Sequence, residues 1–226
     1  MTPVKGRPAP GPRRDAPGPT ASAVSTGRGD DGTTGLLFGG DRVSKDDPRT
    51  EAFGTIDEAV AALGLARAEL GARRRLGELA AALGPVEEIV LRLQRELFVV
   101  GAELAVDPRS WDRLTDGTTR VSATMVAGLD ALLADLEPRT ELPRAFVVPG
   151  ETRISAALEL ARTVIRRAER RAVSLGRADL VPGPHLLPYL NRLADVLWML
   201  ARVAEQAEAR PATEARPTAR GRRRQR

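Results

Sequence analysis

The 226-residue sequence has no cysteine and a single histidine, His185. That excludes a disulfide scaffold, a Cys-ligated zinc or iron–sulfur site, thiol catalysis and any metal site built on several histidines. Aromatic residues make up only 3% of the chain, so the core must be built from Ala, Leu and Val. No apolar run approaches the ~18 residues of a membrane span, and the first residues lack the apolar stretch of a secretory signal. A soluble, cytoplasmic protein is the expectation. The remaining composition suits a folded domain: apolar residues reach 42%, over a length that allows a sizeable core.

The overall charge of +5 is unevenly placed. Residues 1–23 hold four cations against Asp15, and residues 207–226 hold seven arginines against Glu208 and Glu214. Taking these from the total leaves residues 24–206 three charges negative. The two ends also carry eight of the 17 prolines. Such segments bury too little apolar surface to offset the entropy of ordering, so both are expected to be disordered tails. The terminal run Arg220, Arg222, Arg223, Arg224 and Arg226 reads either as a contact for a polyanion or as a solvated tail.

Between the tails the pattern is helical. Phe53, Ile56, Val60 and Leu63 recur at three- and four-residue steps and predict a helix from Arg49 to about Leu70. A second helical stretch runs from about Gly71 to Ala105, with Gly84-Pro85 as a break or restart. A third covers Val121 to Leu136. Pro138, Pro143 and Pro149 then mark a loop around the apolar run Phe146–Val148. A fourth helix runs from Thr152 to Leu175, and Pro182-Gly183-Pro184 separates it from a fifth, His185 to Ala207. No alternation marks a strand. The expected fold is all-α, an antiparallel five-helix bundle.

Four local features bear on function. Gly27, Gly29 and Gly32 spell GxGxxG, but a dinucleotide fingerprint needs a strand before it and a helix directly after. A Pro/Ser/Ala stretch precedes these glycines and Gly39-Gly40 comes after them, so that reading is rejected. The loop still offers backbone N–H groups to phosphate oxygens, with Thr hydroxyls and Lys45 nearby; the alternative is a flexible loop. Asp57 falls among Phe53, Val60 and Gly64 on the wheel, inside the apolar stripe. A buried carboxylate needs a partner, so an arginine is expected to meet it. Arg162, Arg166 and Glu169 share one flank of the fourth helix, while Arg167 and Arg171 point elsewhere. An arginine cluster beside an apolar stripe suits a polyphosphate; the alternative is a solvated charge run. Asn191, Asp195, Trp198 and Arg202 form one stripe of the fifth helix, read as its less apolar face.

Taken together, these segments resemble the PduO-type ATP:cob(I)alamin adenosyltransferases. The matching stretches are Thr26–Gly40, Arg42–Arg49, Phe53–Glu58, Leu93–Phe98 with Gly101–Leu104, Phe146–Gly150, Ala161–Arg170 and Tyr189–Asp195, in the family's order. The resemblance covers about residues 24–206. It implies a five-helix bundle that assembles as a homotrimer with active sites between subunits. It also implies transfer of the 5′-deoxyadenosyl group of ATP to the cobalt of reduced corrinoid, with release of tripolyphosphate.

By the same resemblance, Thr26, Gly27, Arg28, Gly29, Thr34 and Lys45 cradle the triphosphate. Arg166, Arg167, Glu169 and Arg170 reach it from the neighbouring subunit, with Asn191 beside them, and Arg166 stabilises the departing phosphates. Mg²⁺ bridges those phosphates, with no metal-ligating residue assigned in the protein. Asp57 and Arg162 form an intersubunit ion pair near the corrinoid. Phe146 matches the aromatic that displaces the lower axial ligand, which eases reduction to Co(I). A cobalamin-dependent recipient enzyme is the implied partner.

Four positions depart from the family's usual residues: Gly27 follows the loop Thr where Lys or Arg is usual, Val60 replaces Asn, Glu151 replaces Gly and Glu159 replaces His. Val60, Glu151 and Glu159 favour an alternative, a weakened homologue that binds or delivers adenosylcobalamin. A more distant alternative, a nucleic-acid-associated helical protein acting through its Arg tails, is opposed by the acidic middle and the few aromatics.

Overall fold

A computed structural model of the chain describes residues 25–216. The expected tail at residues 1–23 and the arginine run from Arg220 lie outside the described residues. Five α-helices form the body: α1 Pro48–Arg75, α2 Gly84–Leu104, α3 Ala123–Leu136, α4 Arg153–Arg177 and α5 Leu186–Ala207. Their order matches the expected bundle. Among the described residues no helix is long and apolar enough to cross a membrane.

Local chemistry explains where each helix starts and stops. Asp47 caps α1 by accepting from the Arg49 N–H, and Pro48 opens the first turn. α1 runs five residues beyond the expected end, to Arg75. It closes at Gly77, whose φ of 71° lets Glu78 N–H reach back to the Arg73 carbonyl and Gly77 N–H to that of Arg74. Gly71–Arg75 therefore belongs to the first helix, and the second starts afresh at Gly84 with Pro85 in its first turn. Thr152 and Ser155 form a reciprocal capping box at the start of α4.

α1 packs between α2 and α4, α4 packs on α5, and α5 carries α3. Both helices bury small residues: Ala52, Ala59, Ala62 and Ala66 on α1, and Ala161, Ala168 and Ala172 on α4. Leucines fill the rest, with Leu63, Leu93, Leu97, Leu158, Leu193 and Leu197 at 0% exposure. At 100° per residue, Asp57 lies about 160° around the helix from Ala59, the middle of the buried stripe. Asp57 is accordingly exposed, not buried as its place among Phe53 and Val60 suggests. Those two larger residues flank the buried stripe and are only partly buried.

Four two-residue strands lie outside the pattern the sequence offers. β1 (Thr33–Thr34) pairs antiparallel with β2 (Val43–Ser44) in the loop before α1. β3 (Val147–Val148) pairs antiparallel with β4 (Thr213–Glu214). The second ladder corrects the tail boundary: Ala207 closes α5, and residues 208–216 fold back onto the Phe146 loop, with Ala215 N–H bonded to the Phe146 carbonyl at 2.7 Å.

Glu103, at the end of α2, is 1% exposed and accepts from the Val121 N–H at 2.7 Å. It is held so closely that a Cβ on Gly183 would sit 2.7 Å from its Oε1. Burial pushes its pKa up to about 7, against the opposing pull of the Val121 bond and Arg120. The folded state therefore binds more protons than the unfolded state between the ordinary value of 4.5 and about 7. Stability from this group is full below that window, is lost as pH rises through it, and totals on the order of 3 kcal/mol. Glu103→Gln is expected to flatten the melting temperature between pH 4.5 and 7. An unchanged slope by calorimetry would contradict this.

Candidate active site

The loop before α1 is a stitched structure. Gly27 and Gly32 take positive φ, 67° and 80°, and let the chain turn twice. Arg42 draws the turns together: its Nε donates to the Thr33 hydroxyl at 2.6 Å, and its NH2 to the carbonyls of Arg28 and Thr33 at 2.7 and 2.8 Å. Asp31 accepts from the Thr33 hydroxyl and N–H, which hold its carboxyl below the usual range. Lys45 lies over Gly29, so closely that a Cβ there would be 2.9 Å from its Nζ and 3.3 Å from the Thr33 carbonyl. A side chain at position 29 would push that ammonium aside. The structure thus brings together Gly27, Gly29 and Lys45, with Thr34 in β1, while Thr26 and Arg28 are exposed at the open edge.

The far end of the loop is tied to the end of α2. Leu37 N–H bonds the Ala105 carbonyl at 2.8 Å. Arg113 donates to the Phe38 carbonyl and lies 4.3 Å from its ring centroid. Arg109 bridges Asp41 and Asp107, and its side-chain bonds hold the Asp107 carboxyl down at about 2. Arg42, Arg109 and Arg113 have no role on sequence grounds. Apart from Asp107, two residues before Arg109, their partners lie nine or more residues away along the chain, which no local pattern reveals.

The arginines of α4 divide by partner. Arg167 is paired with Glu58 and Arg171 with Glu51 at 2.9 Å, both on α1. Arg170 donates to the Arg166 carbonyl. The Arg166 side chain is exposed and has no hydrogen bond or ion pair among the described residues. Glu169, Asn191 and Asp57 are likewise without a partner among them. The loop's own bonds run to residues 105–113, not to α4. The two groups expected to share a triphosphate are therefore not joined within one chain.

A second locus lies along the first half of α4. A cavity of about 920 Å³ is lined by Arg144, Phe146, Val147, Glu159, Arg162 and Trp198 among others. Phe146 is 91% exposed beside it. The structure thus brings Phe146 and Arg162 to one cavity. It does not join Asp57 to Arg162: Arg162 Nε donates to Glu159 at 2.6 Å instead. Among the described residues no group of three or more His, Cys, Asp or Glu could hold a metal ion.

Comparison with known proteins places this geometry. The family model for cobalamin adenosyltransferase matches residues 24–204. The chain is similar to a corrinoid adenosyltransferase of Citrobacter freundii, 37% identical over 80% of this chain and 94% of that one. A corrinoid adenosyltransferase of Bacillus subtilis is 37% identical over 79% of this chain and 84% of its own length. The match to the corrinoid adenosyltransferase PduO of Salmonella typhimurium, also 37% identical, spans only 52% of that protein. Among solved structures, a variant PduO-type ATP:corrinoid adenosyltransferase from Lactobacillus reuteri complexed with cobalamin and ATP superposes with a TM-score of 0.73. It is 25% identical, with 86% of this chain and 99% of that one covered.

Proposed function

The chain belongs to the cobalamin adenosyltransferase family, and from that premise we propose how its residues carry out the reaction. The activity is ATP-dependent adenosylation of cobalamin. The cobalt of reduced corrinoid attacks C5′ of ATP. A Co–C bond forms, the C5′–O bond breaks, and its electron pair leaves with tripolyphosphate. Cobalt is the nucleophile, so no cysteine or histidine is required of the protein.

The observation that carries the assignment of roles is the state of Arg166. It is an exposed guanidinium with no partner among the described residues, one position before an arginine that α1 already holds. Such a group is free to meet charge from outside its own chain. We assign it to the departing triphosphate, where negative charge grows as the C5′–O bond breaks. Lys45 and the N–H groups of Thr26–Gly29 bind the triphosphate on one chain, with Thr34 beside them. Arg166, Arg170 and the unclaimed N–H groups of Arg167 come from a second chain, oriented by Glu169 and with Asn191 near. A homotrimer supplies such pairs of chains by cyclic symmetry. Mg²⁺, if bound, would be held by the phosphates and would neutralise part of their charge.

Asp57 of one chain and Arg162 of the next are assigned as an ion pair at the corrinoid. The exposure of Asp57 supports this, as do the two terminal nitrogens of Arg162, which have no partner among the described residues. Phe146 approaches the lower face of the corrinoid. The cytoplasm, where ATP is plentiful, is the assigned compartment.

The test is direct. The purified chain, given ATP, Mg²⁺ and chemically reduced cobalamin, is expected to convert the absorbance spectrum to that of the adenosylated form. Retained corrinoid binding without that change would instead favour a carrier.

A further inference from the structure

Three ionised side chains are almost fully enclosed between α4 and α5. Glu159, Arg202 and Glu205 are 3%, 2% and 3% exposed. Arg202 Nε and NH2 each donate to the Glu205 carboxylate at 2.7 Å, a two-pronged grip. Its remaining nitrogen, NH1, faces Glu159 Oε1 at 3.2 Å. The other Glu159 oxygen accepts from Arg162 Nε at 2.6 Å. The guanidinium of Arg202 also lies 5.3 Å from the Trp198 ring centroid. The charges alternate from Glu205 through Arg202 and Glu159 to Arg162, and the last two line the cavity beside Phe146.

Taking charges out of water is expensive, and well-packed apolar residues hold a bundle together at least as well. The quartet is therefore poorly explained as a device for stability alone. Its geometry has a direction. Arg202 is fixed at the core end by Glu205 and faces one oxygen of Glu159 as an ion pair without a hydrogen bond. That leaves the second oxygen aimed at a single nitrogen of Arg162, whose terminal nitrogens have no partner among the described residues.

We infer that Arg202 and Glu159 are positioning residues for the corrinoid pocket: they set the direction of the Arg162 guanidinium from beneath. Glu159 stands where a histidine is usual in the family, and Arg202 supplies the countercharge that this carboxylate needs. The inference rests on the assignment of the Phe146 cavity to corrinoid. It goes beyond it in giving two buried residues, neither reaching the reacting atoms, control over one substrate and not the other.

The test measures two affinities in the full chain: cob(II)alamin, anaerobically and with saturating ATP, and ATP alone. Glu159→Gln keeps the volume but removes the charge that holds Arg162. The double variant Arg202→Met, Glu205→Gln removes the anchor and leaves Glu159 and Arg162 as a neutral pair. Each is expected to weaken corrinoid binding about tenfold, the scale of one charge-assisted hydrogen bond, with the ATP affinity within about twofold of the parent. A merely structural role would move both affinities together or neither, and either result overturns the inference. Should Glu159→Gln lose its helical signal, the double variant decides alone. A parent chain that binds corrinoid without transferring adenosyl would defeat the functional reading while the positioning role is still read from the affinities. A parent that binds no corrinoid would defeat both.

Discussion

Arg166→Ala is expected to lower adenosyl transfer by at least about 10²–10³-fold while the protein melts within a degree or two of the parent. The size comes from the chemistry of the leaving group. Charge on the triphosphate rises as the C5′–O bond breaks, and removal of one preorganised donor at such a site costs on that order. The intact fold is expected from the structure. Arg166 is exposed and makes no side-chain bond among the described residues, and exposed positions of that kind move stability by only about 0.5 kcal/mol. The neighbours serve as controls. Arg171→Ala removes a 2.9 Å pair with Glu51 at the surface and is expected to leave transfer within a few fold. Arg166→Lys keeps the charge but loses the forked donors, so it should fall between parent and alanine. Near-parental rates for Arg166→Ala would remove this residue from the mechanism.

Phe146→Ala is expected to produce the second large loss, on the order of 10²-fold, and the loss should depend on how the corrinoid is supplied. At 91% exposure the ring contributes little to the fold. Covered by a corrinoid face, the same ring would bury enough apolar area for about 2–3 kcal/mol, which is on the order of 10²-fold. Its assigned work is to keep the lower axial ligand off the cobalt and so ease reduction from Co(II) to Co(I). Cob(II)alamin with a mild reductant should therefore expose the full defect, and cobalamin reduced beforehand should recover much of the rate. Equal losses under both conditions would mean that Phe146 acts on the transfer step itself.

Legibility in the sequence differs from element to element. α4 and α5 are readable because their apolar stripes are broad and built from Leu, Ile and Val as well as Ala. The pattern places α1 well but turns it wrongly. Phe53 and Val60 carry more apolar weight than Ala52, Ala59, Ala62 and Ala66, yet the buried stripe is centred on the alanines, and Asp57 moves to the surface. The β3–β4 ladder is two residues long, too short for an alternating pattern to exist, so the return of residues 208–216 to the Phe146 loop has no signature. The loop around Gly27–Gly32 is no dinucleotide fingerprint, as its context in the sequence indicates: it leads into the strand pair β1–β2 and not into a helix. Arg202 reads as part of a less apolar face. Its i,i+3 partner Glu205 is a visible signal, but Glu159 sits on another helix, and nothing local announces that the three meet in the core.

The central claim is that one active site is built from two chains, the loop side from one and the arginine side from its neighbour. Two inactive variants test it together. Asp57→Ala is defective on the first side and Arg166→Ala on the second, and each alone is expected to be nearly silent. Co-expressed and purified as mixed assemblies, they form some interfaces with both sides intact, about a quarter of them if the chains assort at random. Transfer recovered toward a quarter of the parental rate is the predicted result. Transfer that stays at the level of the separate variants would contradict a site shared between chains.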